Sequence, residues 1–233
     1  MRKIAAFILG ISLLSAIGLQ DVLKKNYQAK GGLEKLKSLK TLYAEGKITA
    51  QGMEMPFKVW VKFPKKIKME TMFQGQTMVQ AYDGETAWWI MPMISPEPQV
   101  MPPTQAKQFK EQNQFRDPLV FYKELGYKLE YLGEGEVEGT PVYKIKITKP
   151  NGDVLIYYLD KDSGLEIKAE FFGKMQGREV HGSTYFGEYK KVDGLLFPFY
   201  IESRSNGKVV SQASISKIVI NKPIDDSVFK MKK

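Results

Sequence analysis

The chain has 233 residues, 43% of them hydrophobic, with a formal net charge of +9, one histidine and no cysteine. That length suits one large domain better than two. Without cysteine there are no disulfides, thiolate metal sites or dithiol redox chemistry, so stability must come from burial.

Met1-Arg2-Lys3 is a short basic start, residues 4–17 form an almost uncharged apolar run, and Ala16-Ile17-Gly18 sets small residues at a spacing that suits signal peptidase. The run is shorter than the about 20 apolar residues of a membrane-spanning helix and then meets Gln20, Asp21, Lys24 and Lys25. Residues 1–18 therefore read as a cleaved secretory signal and 19–233 as a single exported domain. A lipid anchor would need a cysteine at the cleavage point, and none is present. Loss of Arg2 and Lys3 lowers the net charge to +7. Lysines such as Lys58, Lys62, Lys144 and Lys146 alternate with apolar residues, as on solvated strand faces. Such basicity fits solvated faces or an anionic membrane surface, not nucleic acid.

Leu19, Val22, Leu23, Tyr27, Leu33, Leu36 and Leu39 recur at helical intervals, interrupted by Gly31-Gly32, which predicts two helical pieces joined at a glycine corner. From Thr41 the period becomes two: Phe57, Val59, Val61 and Phe63 against Lys58, Trp60 and Lys62, then Tyr143-Ile145-Ile147 and Ile167-Ala169-Phe171. Turn signals follow at Gly75-Gln76, Asp83-Gly84, Glu138-Gly139, Asn151-Gly152, Ser163-Gly164, Asp193-Gly194 and Asn206-Gly207. The segments between them number about eleven or twelve strands, mostly pairing with chain neighbours in an antiparallel meander. Five prolines between Pro92 and Pro103 exclude a central strand there, and Thr104 to Leu125 reads as helical. The insert of about 92–125 is placed to cover one mouth of a curved sheet.

Catalytic signals are poor. His181 is the sole histidine, and no G-x-S-x-G elbow accompanies it. The acid pairs Glu134/Glu136, Asp160/Asp162 and Asp225/Asp226 fall in or beside turns, where solvated carboxylates are expected. The run from Asp160 to Gly164 starts like a calcium loop but has its glycine one place early and no closing glutamate. No phosphate-binding or dinucleotide fingerprint occurs. A non-enzymatic protein without metal or cofactor is expected.

What is concentrated is soft apolar surface. Of 11 methionines, eight fall between Met53 and Met101, alongside Trp60, Trp88, Trp89, Phe57, Phe63 and Phe73. Ordinary core packing accounts for such a stripe, and so does an adaptable ligand cavity, because methionine fills irregular shapes. The candidate cavity wall is Met55, Phe57, Val59, Val61, Phe63, Met69, Trp88 and Met91; Phe109, Phe115, Leu119 and Phe121 are the lid candidates.

Trp60-Val61-Lys62-Phe63-Pro64, then Asp83-Gly84-Glu85-Thr86-Ala87-Trp88 with Pro92 closing that strand, resemble the periplasmic lipoprotein carriers of the outer-membrane lipoprotein-sorting pathway, the LolA/LolB-like superfamily. Gly194-Leu195-Leu196-Phe197-Pro198 and the run from Asn221 to Phe229 resemble the broader superfamily. The resemblance implies a mainly β fold with some helix, an incomplete antiparallel β-barrel closed by the N-terminal helix and a helical lid. It also implies an interior for the acyl chains of lipoproteins or related lipids, an inner-membrane ABC transporter as donor and an outer-membrane acceptor, with the carrier a monomer. In the best-known carriers an arginine precedes the proline of the first motif and holds the lid closed; here Phe63 stands there, so a lid that is mobile without ligand is expected. A competing reading is a lipid or lipoprotein sensor of an envelope-stress regulator, which normally has a second domain.

Overall fold

The computed structural model describes residues 17–112, 116–175 and 178–232; the leader to residue 16 and the lid candidate Phe115 lie outside them. The predicted helical pair is present as α1 (Leu19–Ala29) and α2 (Leu33–Lys37). Six strands follow: β1 (Thr41–Ala50), β2 (Met53–Lys62), β3 (Lys66–Phe73), β4 (Gln76–Tyr82), β5 (Ala87–Met91) and β6 (Ser95–Val100). After α3 (Pro103–Gln112) come β7 (Lys128–Val137), β8 (Thr140–Thr148), β9 (Val154–Asp160), β10 (Glu166–Met175) and β11 (Arg178–Gly187). The chain ends with β12 (Lys190–Val192), β13 (Leu195–Phe197), β14 (Tyr200–Ser205), β15 (Lys208–Ile220) and a short 3-10 turn at Asp226–Val228.

Among the described residues thirteen strands form one antiparallel sheet in the order β6-β5-β4-β3-β2-β1-β15-β14-β11-β10-β9-β8-β7, with β12 and β13 as a separate hairpin. The first and last strands of the meander close on each other along β1 and β15, from Leu42↔Ile220 to Thr49↔Gln212. Tight two-residue turns make this possible. Gln51-Gly52, Gln74-Gly75, Glu138-Gly139 and Asn206-Gly207 all hold positive φ at both positions, the backbone twist that matches antiparallel strands. The sheet is open: β6 and β7 are its two outer strands and do not pair with each other among the described residues.

Fifteen strands exceed the expected eleven or twelve for two reasons. The proline-rich stretch contributes β6, where Pro96 and Pro98 are tolerated because the strand is at the edge. The Asp193-Gly194 turn closes a hairpin of two three-residue strands, too short to register as alternation. The helical expectation for Thr104 to Leu125 holds only as far as Gln112. Asp117 precedes Pro118, which disfavours helix. Its carboxylate instead accepts from the backbone N–H of Leu119 (2.9 Å) and Val120 (3.3 Å), folding a turn.

Residues 101–112 and 116–127, between the two edge strands in the chain, lie over one face of the sheet. On that face α3 covers the first half, with Phe109 and Met101 buried against Phe57, Val59, Val61, Ile67 and Ala87. In the second half Val22 and Leu23 of α1 and Leu119 of the strap bury Tyr143, Ile145, Ile147 and Leu159. The opposite face is covered locally by the C-terminal segment, where Phe229 is wholly buried and its carbonyl accepts from Trp88 Nε1 at 2.8 Å. Among the described residues no helix is long and apolar enough to cross a membrane.

The glycine corner is a point of close approach. A Cβ on Gly31 would lie 2.2 Å from the carbonyl oxygen of Gly194, whereas one on Gly32 would meet nothing within 4 Å; both have φ above +100°. Gly31→Ala should cost about 2–3 kcal/mol and Gly32→Ala nearer 1, read by urea unfolding. Equal losses would mean that backbone strain, not contact with the hairpin, sets the requirement.

The C-terminal segment is pinned by Asp226, whose carboxylate meets Lys62 Nζ at 2.6 Å and Lys66 Nζ at 2.7 Å. Hydrogen bonds from the two lysines hold its pKa down at about 2, from an ordinary 3.8. A depressed carboxylate stabilises the fold above its unfolded value, so this contribution is complete above pH 3.8 and disappears as pH falls through about 2. Trp88 fluorescence should report the tail loosening in that window, and Asp226→Asn should remove the step.

Candidate functional site

A cavity of about 360 Å³ lies where the two covered halves of the concave face meet. Its apolar wall is built from Leu36 and Leu39 at α2, Leu42 of β1, Phe121 of the strap, Phe186 of β11 and Leu196 of the hairpin. Phe63, at the end of β2, completes it. These residues converge because the α1–α2 corner docks on the hairpin: Leu196 N–H donates to the Lys30 carbonyl at 3.1 Å, and Leu195 is buried with Leu36, Val120 and Ile220.

One side of the cavity is polar. Lys30 Nζ bridges Asp117 Oδ2 at 2.5 Å and Glu166 Oε1 at 2.7 Å, joining α1, the strap and β10. Burial alone would lower the Lys30 pKa, but the two carboxylates outweigh it and hold the ammonium well above its usual value. Tyr189 donates to the Glu166 carbonyl at 2.8 Å, and burial with the Glu166 charge pushes its phenol up. Tyr27 donates to the Leu119 carbonyl at 2.6 Å, and burial, then Asp117, raises it to about 12. Neutral tyrosines and a charged lysine therefore persist throughout the physiological pH range.

Arg116 also lines the cavity. Its guanidinium carbon sits 4.4 Å from the Phe121 ring centroid, and its Nε is shielded from solvent without a hydrogen-bond partner.

The structure separates the eight predicted wall residues. Phe57, Val59 and Val61 are buried beneath α3, with Met69 and Phe63 packed against them and Met55 half-buried farther along β2. Met91 is half-buried at the end of β5. Only Phe63 of the eight lines the cavity. Trp88 is on the wrong face: it packs with Val79 and Ala81 under the C-terminal segment, while its neighbour Ala87 faces α3. A strand apolar on both sides carries no alternation from which to assign a face. Of the lid candidates, Phe109 fills the space under α3, Leu119 is wholly buried beneath α1, and Phe121 lines the cavity.

The later part of the expected lid runs as a strap tied to α1 and its C-cap by Lys30–Asp117 and Tyr27–Leu119. His181 stacks on Phe172 at 4.5 Å on β11, away from the cavity lining. Among the described residues no group of three or more His, Asp or Glu side chains could hold a metal ion. Lys30, Arg116, Asp117, Glu166 and Tyr189 were not legible as a site, because the pairs that unite them are 87 and 136 residues apart in the chain.

Removing Lys30 leaves the buried Glu166 and the part-buried Asp117 without their shared counter-charge. Lys30→Met should therefore destabilise by about 3–5 kcal/mol and speed amide exchange in residues 117–121. Unchanged exchange there would show that Tyr27 and the apolar contacts hold the strap unaided.

No family model and no curated protein sequence matches this chain. Solved structures do. A DUF1329 family protein from Desulfovibrio piger superposes with a TM-score of 0.61 at 17% identity, covering 89% of this chain and 97% of that one. A LolA superfamily protein from Nitrosomonas europaea gives 0.60 at 15% identity, covering 92% and 98%. A putative outer membrane lipoprotein-sorting protein domain from Vibrio parahaemolyticus gives 0.58 at 12%, covering 91% and 95%. The fold of this chain, an open antiparallel sheet with helices, is thus similar to that of all three.

Proposed function

We propose that the protein is an exported, non-enzymatic carrier that shelters an acyl chain of a lipoprotein or related lipid during transfer through the periplasm toward the outer membrane. The observation that carries this reading is the apolar cavity of about 360 Å³ on the concave face, on a fold shared with a LolA superfamily protein and a lipoprotein-sorting domain. Its volume is near the lower end of the ~300–1,000 Å³ typical of ligand sites, which suits one chain at a time.

Energetics restrict how such a carrier works. At ~0.8 kcal/mol per methylene, a sixteen-carbon chain gains on the order of 12 kcal/mol in the cavity relative to water, yet almost nothing relative to a bilayer. Loading from a membrane therefore needs external work, for which an inner-membrane ABC transporter is the fitting donor. Delivery needs an acceptor that binds the chain more tightly. The periplasmic partners are thus part of the proposal.

Mass spectrometry of the protein purified from the periplasm should find an acylated peptide or lipid. In vitro, Leu39→Asp, in the cavity wall, should abolish uptake of a fluorescent fatty acid, while Met93→Asp, on an exposed turn, should leave it intact. Met55→Asp, on the packed half of the sheet, should affect stability more than uptake. Uptake that survives Leu39→Asp but fails in Met55→Asp would move the ligand beneath α3 and overturn this placement.

A further inference from the structure

A second concavity, of about 310 Å³, adjoins the apolar cavity, and Phe63 and Arg116 line both. Four of its lining side chains are cationic, Lys65, Lys66, Lys110 and Arg116, and none is acidic. Lys66 shares the Asp226 carboxylate with Lys62. Among the described residues Lys65, Lys110 and Arg116 form no ion pair; Lys110 instead lies 5.3 Å from the Tyr82 ring centroid. The neighbouring Glu111 contacts Lys107, an exposed i,i+4 pair. At the boundary between the cavities, Arg116 keeps a desolvated Nε–H with nothing to accept from it. An unsatisfied buried donor is expensive unless a ligand completes it.

We propose that the two cavities form one bipartite site for a single-chain anionic amphiphile. The acyl chain occupies the apolar cavity, and a carboxylate or phosphate head sits in the cationic one, held by Arg116 with Lys110 and Lys65. This rests on the acyl-binding reading above and narrows it. The planar guanidinium fork matches either anion, and the Phe121 ring beneath it keeps the fork oriented. The polar wall of the apolar cavity fixes the direction of entry. There the Lys30 ammonium is already shared by Asp117 and Glu166, whereas the Arg116 Nε–H has no acceptor, so an anionic head is drawn to Arg116 and the cationic concavity and not to Lys30. The volume holds one chain, and the cationic concavity suits a compact head.

The test compares palmitate and 1-palmitoyl lysophosphatidic acid with neutral 1-palmitoylglycerol, each displacing a fluorescent fatty acid from the mature protein. Both anions, or one of them, should bind at least about tenfold tighter than the glyceride at low salt, a margin that one charge-assisted hydrogen bond supplies. Preference for one anion supports the site and identifies its head. Arg116→Gln should cost the anions about tenfold and leave the glyceride unchanged. Because Arg116 is partly buried, the surface double variant Lys65→Gln/Lys110→Gln serves as a second probe and should weaken the anions and flatten their salt dependence. Equal binding of all three, unaffected by these substitutions, overturns the headgroup site while leaving the acyl cavity standing. Absence of binding by all three overturns both.

Discussion

The Lys30 ammonium is the point at which three otherwise separate parts of the molecule become one. It leaves α1, reaches the strap at Asp117 and ends on β10 at Glu166. A buried charge must be paired, so none of the three parts can shift without exposing an uncompensated partner to a low-dielectric interior. Buried ion pairs are poor evidence for added stability, since apolar residues of the same shape often do as well. What this one supplies is position: it fixes the strap against the sheet at the height where the cavity opens.

That position explains why a cavity exists at all. The strap must travel from β6 to β7, the two ends of an open sheet, and it fills unequally the face it crosses. Near β6, α3 lays Phe109 and Met101 into the sheet and closes the space. Near β7, α1 and Leu119 do the same. Between them the backbone turns at Asp117-Pro118, beside a cavity lined by Leu42 and Phe186. The hairpin is held at the mouth by the Gly31–Gly194 approach, where no side chain fits. The void is thus the seam between two packed halves, and not a slot within either.

The sequence was informative wherever the signal is local. Helical spacing around Gly31-Gly32 located both N-terminal helices, and residue pairs such as Glu138-Gly139 and Asn206-Gly207 marked turns that the backbone adopts with positive φ at both positions. Alternation in Phe57, Val59 and Val61 gave the inward face of β2 correctly. It could not say what would lie over that face, and methionine density pointed to the half that α3 fills. Trp88 was misplaced because Ala87 to Met91 is apolar throughout, and the segment that buries Trp88 comes from the far end of the chain. The polar side of the cavity was invisible for the same reason. Lys30, Asp117 and Glu166 are unremarkable in their own neighbourhoods, and only the long-range path of the strap makes them a cluster.

This division between local and distant signals parallels a division of labour in binding. Apolar burial grows with each methylene and hardly depends on what the chain is attached to, so a greasy wall holds any lipid of a given length about equally well. Discrimination has to come from groups whose desolvation is recovered by one partner and not by another. On the proposed reading those groups are charged residues on the cavity lining: the Lys30 cluster, already satisfied, and Arg116, whose Nε is not. A satisfied network repels what does not fit it, while an unsatisfied donor rewards what does. On the carrier reading proposed above, the residues that would decide which lipid binds are therefore few and polar, and they line an apolar cavity whose remaining side chains would decide only that a lipid binds.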